Sequence, residues 1–141
     1  MGSKFSVSRM RKELAAQTMT SVTLSSDSIF QSGLILANVG TLAASGSSVS
    51  SSAQIADHVT IVTAADGTKG VQLPTATIGE VYVVSNAVVN QTLRLYPSTG
   101  SAFNALTANT PLLLTGSQGA ICVYASSSAG DKWAVIWGGA N

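Results

Sequence analysis

Charged side chains are scarce in this chain. Of its 141 residues, 9% are Asp, Glu, Lys or Arg, whereas an ordinary soluble domain has about 25%. The net charge of +1 is too small to attract nucleic acid, so nucleic acid is not expected as a partner. Solubility therefore depends on Ser, Thr, Asn and Gln side chains. Weak self-repulsion suits a protein that packs against many neighbours.

Cysteine and histidine are almost absent. The single cysteine, Cys122, excludes an intrachain disulfide and lies in an apolar run, where we expect it to be buried. The only histidine, His58, follows Asp57, and such a pair can activate a serine, but the chain has no G-x-S-x-G motif. One His and one Cys do not form a zinc-ligand pattern. The sequence therefore predicts no enzyme, no metal site and no cofactor.

Long apolar runs are missing as well. The most apolar stretch, Ile29 to Ala44, is interrupted by polar residues and is shorter than the roughly 20 residues that span a bilayer. Residues 1–12 are polar and basic, and no apolar signal-peptide core follows them. The first six residues fit the N-myristoylation pattern, which leaves lipid anchoring as an alternative. The favoured interpretation has no membrane partner and folding in a reducing cytoplasm.

The chain does contain a series of short β-rich runs. Val81 to Val84 is β-branched and aromatic, and Leu93 to Tyr96 alternates in polarity. Such runs recur about every ten residues between Gly, Pro and Asn turns, and Asp66-Gly67 is a hairpin signal. No helical pattern separates the runs, which argues against a parallel α/β fold. The sequence predicts an all-β domain over residues 55–141, a single antiparallel β-sandwich or jelly-roll-like barrel.

The first 54 residues have a different composition. Phe5 to Met19 places apolar side chains at helical spacing among basic ones, although so short a helix is marginal alone in water. Residues 41–54 are Ser-rich and are predicted to be a flexible linker. Residues 1–54 are thus predicted to be an extended N-terminal arm with a short helix, and a frayed terminus is the alternative. The residues expected at its interface are Lys4, Phe5, Arg9, Met10, Arg11, Lys12 and Leu14.

One segment resembles a known family. The words LPTATIGEVYVVSNA and QTLRLYPSTGSAFNAL, then TPLLLTGSQGAICVYASSSAGDKWAVIW, are similar to tailed-phage virion proteins over residues 59–137. Such domains occur in capsid decoration (cement) and head-fibre proteins, and also in tail-fibre parts. The resemblance implies a homotrimer on the capsid surface of the virion, assembled in the host cytoplasm. It would bind the major capsid protein lattice and stabilise the phage head.

The resemblance leaves a second function open. A tail-fibre or tail-spike module would serve attachment or host glycan recognition. Trp133 and Trp137 have the same parity on one predicted strand, and together with Tyr82, Tyr96 and Tyr124 they could form a sugar-binding face. The alternative interpretation places these aromatic rings in the core between sheets or in a subunit interface.

Overall fold

The structure, a computed structural model, describes residues 38–126 and 132–139, and every regular element within these ranges is a β-strand. In chain order the strands are β1 (Val39–Ala43), β2 (Ala53–Gln54), β3 (Val59–Ala64), β4 (Gly70–Gln72), β5 (Val81–Asn86), β6 (Leu93–Tyr96), β7 (Ala102–Phe103), β8 (Leu112–Leu114), β9 (Gln118–Ser126) and β10 (Lys132–Gly139). The predicted all-β class is confirmed for these residues. The helix predicted over Phe5 to Met19 lies outside them.

The first six strands alternate between two sheets. One sheet has the order β1-β3-β5-β9-β10-β7, and the other has the order β2-β4-β6-β8. Neighbours among β1, β3 and β5 are parallel, and so are neighbours among β2, β4 and β6. The chain thus winds between the two sheets and places one strand in each sheet per turn. The register aligns Val39 with Val59 and Val59 with Val83, so the first turn takes 20 residues and the second takes 24.

The prediction of an antiparallel arrangement is wrong for the larger part of the described sheets. Five of the eight strand pairs are parallel, and the antiparallel ones are β5–β9, β9–β10 and β6–β8. Parallel neighbours need a long crossover between them, which in many proteins is a helix. Here a strand of the opposite sheet serves as the crossover. Absence of helices therefore did not imply antiparallel pairing.

The predicted Asp66-Gly67 hairpin is also wrong, although the turn itself is present. The strands on either side, β3 and β4, belong to different sheets, so this loop is a corner. The Asp66 carboxylate oxygen Oδ1 accepts hydrogen bonds from the N–H groups of Thr68 and Lys69, each at 3.0 Å. Gly67 adopts φ 84°, which favours glycine. A turn signal specifies a local change of direction and does not specify the sheet that the next strand joins.

The core lies between the two sheets. On β3 the buried side chains are Thr60 and Val62, and on β6 they include Leu93 and Leu95. Together with buried side chains from the other strands, Val62, Leu93 and Leu95 form one hydrophobic cluster. Trp133 belongs to the same cluster and is fully buried. Burial of each large apolar side chain stabilises the fold by about 1.5–3 kcal/mol.

The Ser-rich stretch 41–54 differs from the expected flexible linker, because it completes β1, forms β2 and includes an ordered turn. The Ser51 hydroxyl accepts hydrogen bonds from the N–H groups of Ser47 and Ser48, each at 3.2 Å. The Tyr96 hydroxyl donates to the carbonyl oxygen of Ser47 at 2.7 Å. Serine hydroxyls can satisfy nearby backbone groups in this way, so a Ser-rich composition does not exclude a fixed loop.

Candidate interaction surface

The interface residues predicted from sequence all lie outside the described residues. They are Lys4, Phe5, Arg9, Met10, Arg11, Lys12 and Leu14. Their role in binding stays a prediction. The candidate surfaces below belong to the body of the protein and were not among the predicted site residues.

An aliphatic row crosses the outer side of the six-stranded sheet. The register places one β-branched side chain from each of five neighbouring strands in line, and these are Val39, Val59, Val83, Ile121 and Ile136. Their strand neighbours of opposite parity point inward and include the buried Thr60, Val84, Cys122 and Val135. The row therefore faces away from the core. Ile136 is 75% exposed and Val39 is 67% exposed.

The row is the centre of a larger apolar surface, which we call the aliphatic face. Its residues are Val39, Val59, Ile61, Val81, Val83, Ile121, Val123, Ala134 and Ile136. None of them carries a charge or a hydrogen-bonding side chain, and the hydroxyl groups of Thr41 and Ser85 lie at the margin, in the register row of Ile61. Strands with apolar residues at both parities are typical of sheets covered on both sides. One side of this sheet packs on the core. No strand within residues 38–126 and 132–139 covers the other side.

Charges stand at one end of the aliphatic face. Glu80 immediately precedes β5, and Lys132 opens β10. Both strands pair with β9 in the antiparallel sense, so their first residues lie at the same end of the sheet. An uncharged centre with charged groups at the margin is the usual pattern of a protein interface.

A second feature is a cleft of about 290 Å³ beside the half-exposed Trp137. Its walls are Phe103, Asn104, Ala105, Leu106, Leu112 and Trp137. The Asn104 amide is already engaged, because it donates to the Val135 carbonyl oxygen at 3.0 Å and accepts from the Val135 N–H at 2.9 Å. The cleft therefore offers an apolar wall and little free hydrogen-bonding capacity.

The two tryptophans do not share an exposed face. Trp133 is fully buried, and its ring makes edge contacts with Tyr82 and Tyr124 at centroid distances of 5.8 and 5.1 Å. Its indole N–H donates to the Ser98 hydroxyl at 3.1 Å. The interpretation of Trp133 as a core residue is therefore confirmed. Tyr82, Tyr96 and Tyr124 are buried as well, so of these five aromatic residues only Trp137 is accessible to a ligand.

The groups considered for catalysis are held in structural contacts. The His58 ring stacks on the Tyr82 ring at a centroid distance of 5.0 Å, and its Nδ1 atom has no hydrogen-bond partner among the described residues. The Cys122 thiol is buried, and burial raises its pKa to about 12. Within residues 38–126 and 132–139, no three His, Cys, Asp or Glu side chains are grouped so that they could hold a metal ion.

The described part of the chain has no helix that is long and apolar enough to cross a membrane.

Comparison with known proteins identifies no similar protein. No family model matches the chain, and no curated protein or solved structure is significantly similar to it. The exposed surfaces of the described residues and the resemblance in sequence are therefore the guides to function.

Proposed function

We propose that this protein is a structural virion protein, a capsid decoration protein that binds the major capsid protein lattice of a phage and stabilises the head. The observation that carries the proposal is the uncharged, exposed aliphatic face. Such a surface suits lasting contact with protein, because its burial is favourable and needs no specific charge on the partner. The resemblance to tailed-phage virion proteins supplies the setting.

The proposal gives the two parts of the chain different contacts. Copies of the body associate, as a homotrimer according to the resemblance. The N-terminal residues bind the capsid, where Phe5, Met10 and Leu14 supply apolar contact and the neighbouring basic side chains meet acidic groups. Burial of each of these apolar side chains is worth about 1.5–3 kcal/mol. Joining several arms in one oligomer raises the overall affinity without any new contact in each arm.

A tail-fibre or tail-spike module is the second candidate. The exposed ring of Trp137 beside the cleft favours it, since aromatic rings stack on apolar faces of sugars. Apolar walls and the engaged Asn104 amide favour it less, because glycan recognition also needs free polar groups. The number of copies per virion separates the two functions. Hundreds of copies are expected of a decoration protein, and a few dozen or fewer are expected of a tail part.

Capsid binding by the N-terminal residues is testable in the full-length chain. Replacing Phe5, Met10 and Leu14 together by Ser removes apolar contact while keeping every charge. We expect binding to expanded, empty phage heads to weaken at least tenfold, since about 1.4 kcal/mol corresponds to a factor of ten and three side chains are lost. Co-sedimentation of the protein with the heads measures the affinity.

The matched control replaces three exposed aliphatic residues of the body, Ile78, Val89 and Leu113, by Ser. This control changes hydrophobicity by a similar amount outside the N-terminal residues and should bind as the wild type does. If the N-terminal variant also binds with unchanged affinity, its predicted role in capsid attachment is wrong.

A further inference from the structure

We propose that the aliphatic face is the surface through which copies of this chain associate, and that its occupant is the same face of a second copy. The inference rests on the self-association in the proposed function and does not depend on capsid binding. It assigns that association to the outer side of the six-stranded sheet and to the row from Val39 to Ile136.

Charge is the first argument for a second copy as the occupant. The aliphatic face has no charged residue, so a nucleic acid, an anionic membrane or an acidic protein would find no ionic partner there. A second aliphatic face matches it in composition and leaves no buried charge unpaired. The charged residues Glu80 and Lys132 lie at one end, where they stay in contact with water.

Shape is the second argument. Two sheets pack face to face at about 10 Å when their side chains are short and interlock. On the aliphatic face the side chains are Val, Ile and Ala, and the adjoining row across β5, β9 and β10 consists of Ser85, Gly119 and Gly138. These small residues let a partner sheet approach closely at that end.

Area is the third argument. Five strands spaced at about 4.8 Å and about 20 Å long give a face on the order of 500 Å². Two such faces together bury about 1,000 Å², which is the area at which specific protein interfaces begin. A single face of this size lies within the range of about 300–600 Å² found for the largest apolar patch of a typical monomer, so its area alone does not indicate an interface. A pair of copies nevertheless has sufficient area, and because each face meets its own counterpart the contact is two-fold, unlike the three-fold association that the resemblance implies.

The sheet edge adds a fourth observation. β1 is the outermost described strand of its sheet, and its sequence, Val-Gly-Thr-Leu-Ala, contains neither charge nor proline. Edge strands usually carry charged residues or proline, which prevent pairing with other chains. The aliphatic row begins on β1 at Val39. The face and the edge at β1 therefore both lack charged residues.

The experiment measures the mass of the full-length protein by size-exclusion chromatography with light scattering. The wild type is expected at a multiple of 14.3 kDa. Replacing Ile121 and Ile136 together by Glu places two carboxylates on the β9 and β10 strands of the face, and this variant is expected at the monomer mass. The control, Leu113→Glu, changes an exposed strand residue of the other sheet that lies opposite Arg94, and it should keep the wild-type mass.

Folding and the other occupants are checked in the same series. If circular dichroism shows that the Glu variant is unfolded, the milder pair Ile121→Ser and Ile136→Ser replaces it, and a fall in oligomer mass is still expected. A wild-type protein that is monomeric at 100 μM overturns the inference. The face would then have another occupant, either the chain's own N-terminal residues or a neutral lipid surface, which phosphatidylcholine vesicles test. An unchanged mass in a folded Glu or Ser variant also overturns it. An oligomer that depends on this face but fails to bind phage heads contradicts only the proposed capsid function.

Discussion

Among single residues, Asn86 shows how buried polar side chains hold the loops of this fold. It is fully buried at the end of β5. Its amide N–H₂ donates to the carbonyl oxygens of Gln91 at 2.8 Å and Leu114 at 2.9 Å, and its Oδ1 accepts from the Val88 N–H at 3.1 Å. One side chain thus connects the β5–β6 loop to the end of β8. Without these hydrogen bonds the amide N–H₂ group and Oδ1 atom of Asn86 would be buried and unpaired.

Tyr96 also fixes a loop through one hydrogen bond. Its ring is 4% exposed, and its hydroxyl donates to the Ser47 carbonyl oxygen at 2.7 Å, which fixes the Ser-rich turn on the four-stranded sheet. Tyr96→Phe removes only this hydroxyl. We expect the free energy of unfolding to fall by about 1 kcal/mol, the usual net value of one such hydrogen bond. Urea denaturation followed by circular dichroism measures the change.

Tyr82→Phe is the matched control for Tyr96→Phe. The Tyr82 ring is also buried, and its hydroxyl is not in a described hydrogen bond. The control should therefore change stability less than Tyr96→Phe does. Equal losses in the two variants would contradict a stabilising role for the Tyr96–Ser47 hydrogen bond.

Among the elements, the corners between strands decide the topology. At the corner between β3 and β4, the Asp66 carboxylate accepts from the Thr68 hydroxyl at 2.8 Å and from two backbone N–H groups, and the Lys69 ammonium lies 3.1 Å away. These donors, the Thr68 hydroxyl first, hold the pKa of Asp66 below its ordinary value of 3.8. Because the folded pKa is depressed, the corner's contribution is present above the unfolded pKa and is lost as the pH falls below it.

The pKa of the Asp66 carboxyl tests these hydrogen bonds directly. In the folded protein, carbon-detected NMR of the Asp66 carboxyl should give a pKa clearly below 3.8, and Thr68→Val should raise it toward that value, since the variant keeps the shape and removes the leading donor. A wild-type Asp66 that titrates at or above 3.8 would be inconsistent with these hydrogen bonds.

The elements were predictable from sequence to a large extent, whereas their partners were not. Runs such as Val81 to Val84 and Leu93 to Tyr96 do form strands, because β-branched and alternating residues act locally. Sheet membership is not local, and Asp66-Gly67 forms its turn equally well at a corner or in a hairpin. The aliphatic face had a signal in the same runs, since Val81 and Val83 are as apolar as Tyr82 and Val84. That signal shows apolar residues at both parities, but it does not show which parity faces the core.

For the whole molecule, Cys122 reports on the cooperative unit. It lies on β9 at the centre of the six-stranded sheet, opposite Tyr82 on β5 and Val135 on β10, and it is fully buried. Exposing its thiol requires the central strands to separate and the two-sheet core to open. Burial also raises its pKa to about 12, so little thiolate is present at neutral pH.

We therefore expect thiol labelling of the native protein at pH 8 to be at least 10³ times slower than labelling in urea, as for an opening that costs about 4 kcal/mol or more. Absorbance of a released chromogenic thiol follows the reaction. Val89→Cys in a Cys122→Ala background is the control, since position 89 is 69% exposed and should label at once. Rapid labelling of native Cys122 would contradict a single cooperative core. If copies associate through the aliphatic face, labelling should slow further as protein concentration rises, because association stabilises only the folded state.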